Sequence, residues 1–466
     1  MNFKPGEEAN LASPTPPTER IVILDSLRGI AILGILLMNI PGFALPDPIM
    51  YNPAVLNETG LNYNTWYAVD WSLEGSQRAL FSMLFGAGVI LFLSRQQKKV
   101  NGMLAAEYFF RRQLWLLVFG LFNAFILLWF WDILFQYALC GMILFAFHRL
   151  SPKSLIFAAC ICLVLQTARE NRDLYLDKKT IARGEAIATL DTTTVKLTEL
   201  QKERLGAMTA FKEKTSPEGK QKEYNKSLMM MTGSYADLYE YQSARSFRGE
   251  VKYTYFGIWD ILLFMFIGMA FFKNGLLTGG GSLKTYALIM FLGLGLGLTV
   301  SYFRLQPMIN SQFNYFTYVK NIQFEYYELS RSLRAMGIFG LIMVMYKSGL
   351  FNWFFKIFQP VGQMAFTNYL GQSIICGLFF YGIGFGMFGQ LQRYEIYYVV
   401  AAVWVLQIVY SHIWLKYFRF GPLEWLWRSL TYWKKQPMGK VKTADTIILK
   451  APAGDFVITE DKQTIE

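Results

Sequence analysis

The chain has 466 residues, of which 53% are hydrophobic and 17% are charged, and its mean hydropathy is positive. Soluble domains carry about 25% charged residues, so this composition excludes an ordinary soluble protein and favours one that crosses a membrane several times. The net charge of +12 does not require a nucleic-acid partner, because basic residues at the cytoplasmic ends of membrane helices give the same excess, and the sequence contains no nucleic-acid-binding motif.

Apolar stretches long enough to cross a bilayer recur along the chain. About 20 mostly apolar residues suffice for one crossing. The sequence predicts about ten such helices, at residues 21–44, 77–94, 114–131, 132–148, 155–168, 254–273, 284–303, 332–348, 363–385 and 394–415. A very tight turn at 131–132 is expected to join the third helix to the fourth. The predicted fold class is therefore all-α, a polytopic membrane helix bundle.

The distribution of charge in the loops predicts the orientation of this bundle. Cytoplasmic loops carry an excess of lysine and arginine. With the N-terminus inside, the inner loops and the C-terminal tail hold most of the basic residues, whereas the first outer loop is mainly acidic. The polar block 169–252 is long enough to be translocated whatever its charge. We therefore expect an N-in, C-in bundle in which this block is a helical extracytoplasmic insertion.

These expectations divide the chain into five parts. They are a cytoplasmic N-terminal tail (1–20), a first transmembrane bundle of about five helices (21–168), the extracytoplasmic insertion (169–252), a second transmembrane bundle of about five helices with an interfacial helix (253–432), and a cytoplasmic tail (433–466). Residues 446–449 of the tail have the pattern of a short strand. The interfacial helix is expected at 421–432, where tryptophans and basic residues suit the headgroup layer.

The first apolar segment carries polar side chains that are costly to place in lipid. Asp25 and Arg28 are three residues apart and share a helix face, and Asn39 returns to nearly the same face about three turns later. A charge in a membrane segment costs roughly 2.5–3.5 kcal/mol, so it faces a partner or a cavity by default. This polar stripe is typical of a helix that lines a cavity.

Further polar pairs with a spacing of four residues occur in or beside the predicted membrane segments. They are Glu74 with Arg78, Asp132 with Gln136 and the adjacent Tyr137, Asn368 with Gln372, and Glu424 with Arg428. Residues four apart share a helix face, so each pair is either a structural tie between helices or is directed at a pocket. Together, so many ionisable groups in apolar surroundings favour one shared polar cavity with a function.

Several kinds of chemistry have no support in the sequence. No cluster of histidine, cysteine and carboxylate has the spacing of a metal site, and no nucleophile elbow or phosphate-binding loop is present. The four cysteines lie in apolar segments and are expected to be packing residues. The two histidines, His148 and His412, are expected near the cytoplasmic ends of helices.

Five motifs, distributed over the whole chain, resemble those of a known family. They are residues 20–34 together with Asn39, residues 80–88, residues 131–134 with Tyr137, residues 364–373 and residues 421–432. On these motifs the sequence is identified as a member of the YeiB-like family, bacterial integral membrane proteins classed as a domain of unknown function. The resemblance implies a multi-pass protein of the bacterial plasma (inner) membrane.

More distantly, the pattern of Asp25, Arg28 and Asn39 is similar to the first helix of transmembrane acyltransferases such as heparan glucosaminide acetyltransferase. This similarity implies a helix bundle that passes an acyl group from cytoplasmic acyl-CoA to an acceptor. It also implies a histidine that acts as the base, because activating a hydroxyl or amine requires a group that titrates near neutral pH.

The sequence departs from the acyltransferase pattern at the expected base. Asn123 stands where relatives often carry histidine, and the outer loop 45–76 contains no histidine. An amide cannot accept a proton at neutral pH. Asp132 and Glu74 are therefore the candidate acid/base catalysts, with the two histidines of the inner face as alternatives.

The leading hypothesis is a protein that handles a lipid, glycan or acyl substrate in an internal polar cavity. Arg28, oriented by Asp25, would bind a phosphate or carboxylate, because guanidinium matches these anions in bidentate fashion. The other candidate substrate-binding residues are Asn39, Arg78, Asn123, Gln136, Tyr137, Asn368, Gln372, Glu424 and Arg428. Acyl-CoA is the one cofactor that the resemblance implies.

Two other classes of function stay open at this point. A transporter of a small metabolite or lipid needs the same buried charges but no base. A non-catalytic assembly or sensing protein would use the insertion 169–252 as its interaction surface. The expected partners are membrane lipids and a lipid or glycan substrate, and the interpretation is compatible with a homo-oligomer.

Overall fold

The computed structural model describes residues 21–100, 102–190 and 196–440. Within these ranges the chain is predominantly helical, and they contain no β-strand beyond a single antiparallel bridge between Phe418 and Gly439. The all-α prediction is thereby confirmed. The predicted N-terminal tail, most of the C-terminal tail and the short strand at 446–449 lie outside the described residues.

Eighteen α-helices follow one another in the described ranges. The first ten are α1 (Val22–Ala44), α2 (Asp47–Met50), α3 (Gly60–Ser72), α4 (Ser76–Lys99), α5 (Gly102–Phe125), α6 (Leu134–Phe147), α7 (Pro152–Ala188), α8 (Glu199–Thr215), α9 (Pro217–Met231) and α10 (Tyr235–Phe247). A π-helix (Arg248–Tyr253) leads into α11 (Thr254–Lys273), α12 (Leu283–Asn310), α13 (Tyr315–Asn321), α14 (Tyr327–Ser348), α15 (Asn352–Gln363), α16 (Ala365–Phe380), α17 (Ile396–Tyr417) and α18 (Pro422–Tyr432). Two short 3₁₀ helices lie at Pro53–Leu56 and Leu276–Thr278.

Seven stretches of the described residues are long and apolar enough to cross a membrane. They are Val22–Ala44, Gly60–Lys99, Pro152–Ala188, Tyr235–Lys273, Leu283–Asn310, Tyr327–Ser348 and Ile396–Tyr417. The chain is therefore a multi-pass membrane protein. The other three predicted crossings fall on α5, α6 and α16, which are helical but do not belong to that set, so the number of ten stays a prediction.

The connection between α5 and α6 differs from the predicted tight turn. Helix α5 ends at Phe125 and α6 begins at Leu134, and the residues between them form a non-helical loop. Leu128 and Trp129 of this loop are buried, and Leu128 has a positive φ of 59°. A buried apolar loop has the hydropathy of a membrane helix, which is why the sequence pattern extended the third helix to residue 131. The loop carries Asp132 into the interior.

The described residues of the polar block 169–252 are mostly helical. Helix α7 runs from a predicted membrane crossing into the block, and α8, α9 and α10 follow it. Two of these helices begin with capping boxes, formed by Thr198 with Gln201 and by Ser234 with Asp237, which satisfy the free N–H groups of a first turn. The predicted helical content of the block is confirmed.

Two close helix crossings set the position of the cavities described below. At the crossing of α1 and α15, Gly29 lies against the carbonyl of Phe358, and Gly362 lies against the carbonyl of Asp25. A side chain at either glycine would collide with the opposite backbone. Small residues allow this approach in membrane proteins, and α15 thereby becomes a wall beside the N-terminal half of α1.

Candidate functional site

Two cavities enter the bundle along opposite ends of α1 and α4. One has a volume of about 300 Å³ and lies between the N-terminal half of α1, the C-terminal half of α4, α5, the start of α16 and α18. The other has a volume of about 620 Å³ and lies between the C-terminal half of α1, the start of α4, the α5–α6 loop and the π-helix. The two cavities share no lining residue.

The first cavity is defined here as the basic cavity, because Arg28, Arg95, Arg112 and Arg428 line it, against the two carboxylates Asp25 and Glu424. Arg28 donates a hydrogen bond of 2.8 Å to Asp25 and keeps 26% of its side chain exposed. The Arg112 guanidinium lies 3.6 Å from the ring centroid of Trp427. An excess of guanidinium groups in a concave, partly apolar site is suited to a phosphate- or carboxylate-bearing ligand.

Glu424 fixes the wall of the basic cavity that α16 provides. Its carboxylate accepts hydrogen bonds from the backbone N–H of Phe366 at 2.7 Å, and from the N–H and hydroxyl of Thr367 at 3.1 and 2.5 Å. Burial raises the pKa of the Glu424 carboxyl above its ordinary value, and these hydrogen bonds oppose that shift. A carboxylate at the start of a helix satisfies free N–H groups and the helix dipole, so Glu424 positions α16.

A thin septum of hydroxyl-bearing side chains separates the two cavities. The Tyr137 hydroxyl lies 2.6 Å from the Ser82 hydroxyl and donates to the carbonyl of Arg78 at 3.2 Å. Tyr369 lines the basic cavity, yet its hydroxyl is 3.4 Å from a carboxylate oxygen of Asp132, which lines the other cavity. The Tyr369–Asp132 contact therefore connects the walls of both cavities.

Asp132 is held by three hydrogen-bond donors. The Asn123 amide donates at 2.8 Å, the backbone N–H of Phe135 at 3.0 Å and the Tyr369 hydroxyl at 3.4 Å. Only 2% of Asp132 is exposed, and Asn123 is fully buried. The bond to Phe135 anchors Asp132 at the start of α6. Asn123 does not line either cavity and acts by orienting Asp132.

The second cavity is defined here as the aromatic cavity, because its walls carry Tyr51, Trp66, Phe130, Trp131, Tyr253, Tyr327 and Tyr397. Three of its polar side chains, Asn39, Gln136 and Arg248, form no hydrogen bond or ion pair with any residue that the structure describes. Free amides and a free guanidinium among aromatic rings are typical of a wall that binds a polar ligand.

The predicted pair of Glu74 and Arg78 has other partners. Arg78 donates to Asp260 at 2.8 Å, whereas Glu74 accepts a hydrogen bond of 2.9 Å from Tyr327 and lies 3.9 Å from Arg334. Both side chains still line the aromatic cavity. The spacing of four residues placed them on one face but did not predict their partners.

The sequence analysis missed a buried ionic network behind the aromatic cavity. Arg331 is fully buried, donates to both oxygens of Glu328 at 2.8 Å, and also binds Asp260. The sequence analysis left Glu328 and Arg331 in a loop, because it began this membrane helix at residue 332, whereas α14 begins at Tyr327. Two signals could have revealed it: the spacing of three between Glu328 and Arg331, and the single aspartate in the apolar segment 254–273.

Comparisons with known proteins agree with these motifs. A family profile described as "Protein of unknown function (DUF418)" matches residues 271–434. The Escherichia coli (strain K12) protein YeiB is 30% identical over 419 residues, which cover 89% of this chain and 96% of YeiB. The chain belongs to the YeiB family. The Bacillus subtilis (strain 168) protein YxaH is 29% identical over 450 residues, 92% of this chain and 98% of its own. No solved structure is significantly similar to the chain.

In this YeiB-family chain, Asn368 and Gln372 lie away from both cavities. The Asn368 amide donates to the carbonyl of Val361 at 3.0 Å and to Ser411 at 3.2 Å. The Gln372 amide donates to the carbonyl of Ile32 at 3.2 Å and to Gln407 at 3.1 Å. Both amides therefore tie α16 to neighbouring helices, among them α1 and α17. Of the two roles that the spacing left open for such a pair, this is the structural one.

The prediction of one shared cavity is therefore wrong for this YeiB-family bundle. The structure divides the predicted residues into three groups: Asp25, Arg28, Tyr137, Glu424 and Arg428 at the basic cavity; Asn39, Glu74, Arg78, Asp132 and Gln136 at the aromatic cavity; and Asn123, Asn368 and Gln372 at neither. The polar stripe of α1 is long enough to serve both cavities, one at each end.

Proposed function

We propose that this bacterial plasma-membrane protein transfers an acyl group from acyl-CoA in the basic cavity to a lipid or glycan acceptor in the aromatic cavity. The observation that carries the proposal is the septum, where Tyr369 of the basic cavity touches Asp132 of the aromatic cavity. A reaction between two ligands that enter from opposite ends requires one catalytic group within reach of both.

The charges of the two cavities support this assignment of donor and acceptor. The positive-inside rule favours a cytoplasmic location for the basic cavity, the side on which acyl-CoA is found. Arginines that match phosphates bidentately suit its nucleotide part. In the same orientation, both termini are cytoplasmic, and the insertion 169–252 covers the aromatic cavity from outside, with Arg245 bound to Asp47 at 2.9 Å.

The chemistry of the step follows from the three donors around Asp132. The Asp132 carboxylate takes the proton of the acceptor hydroxyl as that oxygen attacks the thioester carbonyl. The ester C–O bond forms, the C–S bond breaks, and the thiolate of CoA leaves. The thiolate takes up one proton and Asp132 gives up the one that it accepted, so the carboxylate is restored. Asn123 orients the carboxylate, and the single O–H of Tyr369, released from Asp132 as that carboxylate takes up the proton, donates to the developing oxyanion. Neither histidine lines the basic or the aromatic cavity, so we assign the role of base to the carboxylate.

Binding and turnover of acyl-CoA test the proposal. Acetyl-CoA should raise the melting temperature of purified protein, and slow thioester hydrolysis or transfer should be lost in Asp132→Asn. The control is Asp173→Asn, which removes a carboxylate that is half exposed on α7. If CoA compounds neither bind nor are consumed, or if both variants retain equal activity, the transferase assignment fails.

One observation favours a transporter as the second candidate. The two cavities lie at opposite ends of α1 and α4 with a thin septum between them, and rocking of one group of helices against another, as in alternating access, would connect them across this septum. Counterflow of labelled metabolites in proteoliposomes tests this candidate. Uptake of an unmodified substrate would support transport, and release of free CoA with acylated acceptor would support the transferase.

A further inference from the structure

The wall of the basic cavity contains a buried amide that has no partner among the residues that the structure describes. Gln113 of α5 lines this cavity, and only 2% of the residue is exposed. Its carboxamide oxygen is buried, and neither that oxygen nor the amide nitrogen forms a hydrogen bond with a described residue. Burying an amide without a hydrogen bond is unfavourable, so the position of Gln113 requires an explanation.

Gln113 is held in place by packing, close to the septum between the two cavities. A methyl group added at Gly141 of α6 would lie 2.6 Å from the Gln113 oxygen and 3.2 Å from the ring of Phe85. Phe85 in turn packs edge-on against Tyr137 of the septum, with ring centroids 5.3 Å apart. The absence of a side chain at Gly141 therefore leaves the space that the Gln113 amide occupies, beside the place where donor and acceptor would meet.

A second glutamine lies at the outer part of the same cavity. Gln96 of α4 donates from its amide nitrogen to the Tyr432 hydroxyl at 2.9 Å, but its buried oxygen accepts no hydrogen bond from a described residue. The Tyr432 ring packs against Tyr108 of α5, with centroids 5.1 Å apart. Gln113 lies five residues beyond Tyr108, about 7.5 Å further along the helix. The two glutamines therefore lie at different depths, Gln96 beside Arg95 and Gln113 nearer the septum.

The arginines of the basic cavity suit the anionic part of a ligand, whereas the free oxygens of the two glutamines require N–H or O–H donors. The pantetheine arm of CoA carries two amide N–H groups between its phosphates and its sulfur. A half-turn of a terminal carboxamide exchanges its oxygen and nitrogen, so a glutamine can pair with either side of such an amide.

We propose that Gln113 binds an amide of the pantetheine arm, with Gln96 nearer the phosphates. Gln113 thereby selects an acyl group that is carried on this arm over one that is carried on a lipid, which has no amide at that depth. This proposal rests on the proposed function, because it takes acyl-CoA as the donor, and it adds the residue that recognises the arm of that donor.

Calorimetric titration with CoA, and with adenosine bisphosphate, which lacks the arm, tests the role of Gln113. Gln113→Met should weaken CoA binding at least about fivefold, because an amide of the arm then enters an apolar wall without a partner. The affinity for adenosine bisphosphate should stay that of the wild type, because the arginines are intact. The matched control is Gln166→Met, since Gln166 is 6% exposed and also has an unpartnered oxygen, but lines neither cavity. This control should bind CoA like the wild type.

The outcomes separate this proposal from the proposed function. If CoA binds the wild type and Gln113→Met equally well, or if Gln113→Met loses affinity for both ligands alike, Gln113 does not recognise the arm, and the proposed function stands. If the wild type binds no CoA, both fail. Should Gln113→Met not fold, pantetheine is compared with an analogue in which esters replace the amides, on the wild type. Pantetheine should displace CoA more strongly, and equal or weaker displacement would overturn the proposal.

Discussion

Replacing Arg331 by methionine should strongly destabilise the protein, because Arg331 holds together the wall behind the aromatic cavity. Its side chain is 0% exposed and makes four hydrogen bonds, two to Asp260 and two to Glu328. Asp260 would keep Arg78 as a partner, but Glu328 would keep only a 3.3 Å bond from Ser332. Removing one partner of a buried ion pair costs about 3–5 kcal/mol, and we expect a loss of that size.

Thermal melting of detergent-solubilised protein, followed by tryptophan fluorescence, measures this effect. The matched control is Arg172→Met, in which the lost pair with Asp173 spans 3.4 Å and the arginine is 63% exposed; such surface pairs contribute at most about 1 kcal/mol. Arg331→Lys, which keeps the charge but not the fork of donors, should fall between. If Arg331→Met melts at the same temperature as Arg172→Met, the network does not stabilise the bundle and the reasoning is refuted.

Three further substitutions probe the basic cavity and its walls. Gly362→Ala should lower the free energy of unfolding by about 1–3 kcal/mol through overpacking, because its new methyl group meets the Asp25 carbonyl. The control Gly88→Ala should melt like the wild type, because a methyl group there has nothing within 4 Å. Equal losses of stability in the two variants would contradict the crossing geometry. Glu424→Ala should cost about 1–2 kcal/mol, as the loss of a helix cap does, and an unchanged melting temperature would exclude the capping role. Arg112→Met should weaken CoA binding at least tenfold, because a charged hydrogen bond contributes about 1.5–3 kcal/mol; unchanged affinity by calorimetry would exclude Arg112 from the binding site.

The sequence predicted which helix faces are polar more reliably than it predicted which residues meet. Helical periodicity placed Arg28 and Asn39 on one face of α1, and the structure keeps them there. Periodicity carries no information on depth, so it could not show that Arg28 opens into the basic cavity and Asn39 into the aromatic cavity. The prediction of a single shared chamber was wrong for this reason.

Long-range contacts account for the rest of what the sequence could not show. Arg78 is satisfied by Asp260 of α11, and Glu424 by the start of α16; such pairings depend on the packing of helices that are distant in sequence. Nothing in the sequence indicated that Glu250 of the π-helix is buried, because it lies in a polar block where a glutamate is expected to be solvated. In the structure its exposed fraction is 3%, and the adjacent Gly249 packs against the carbonyl of Phe130 in the α5–α6 loop.

A cryo-electron microscopy structure of the protein with bound CoA would test the two-cavity assignment most directly. We predict density for the phosphate groups among Arg28, Arg112 and Arg428, with the thiol end directed at Tyr369 and thus at Asp132 behind it. Density for CoA in the aromatic cavity, or a basic cavity filled by lipid at saturating CoA, would contradict the assignment.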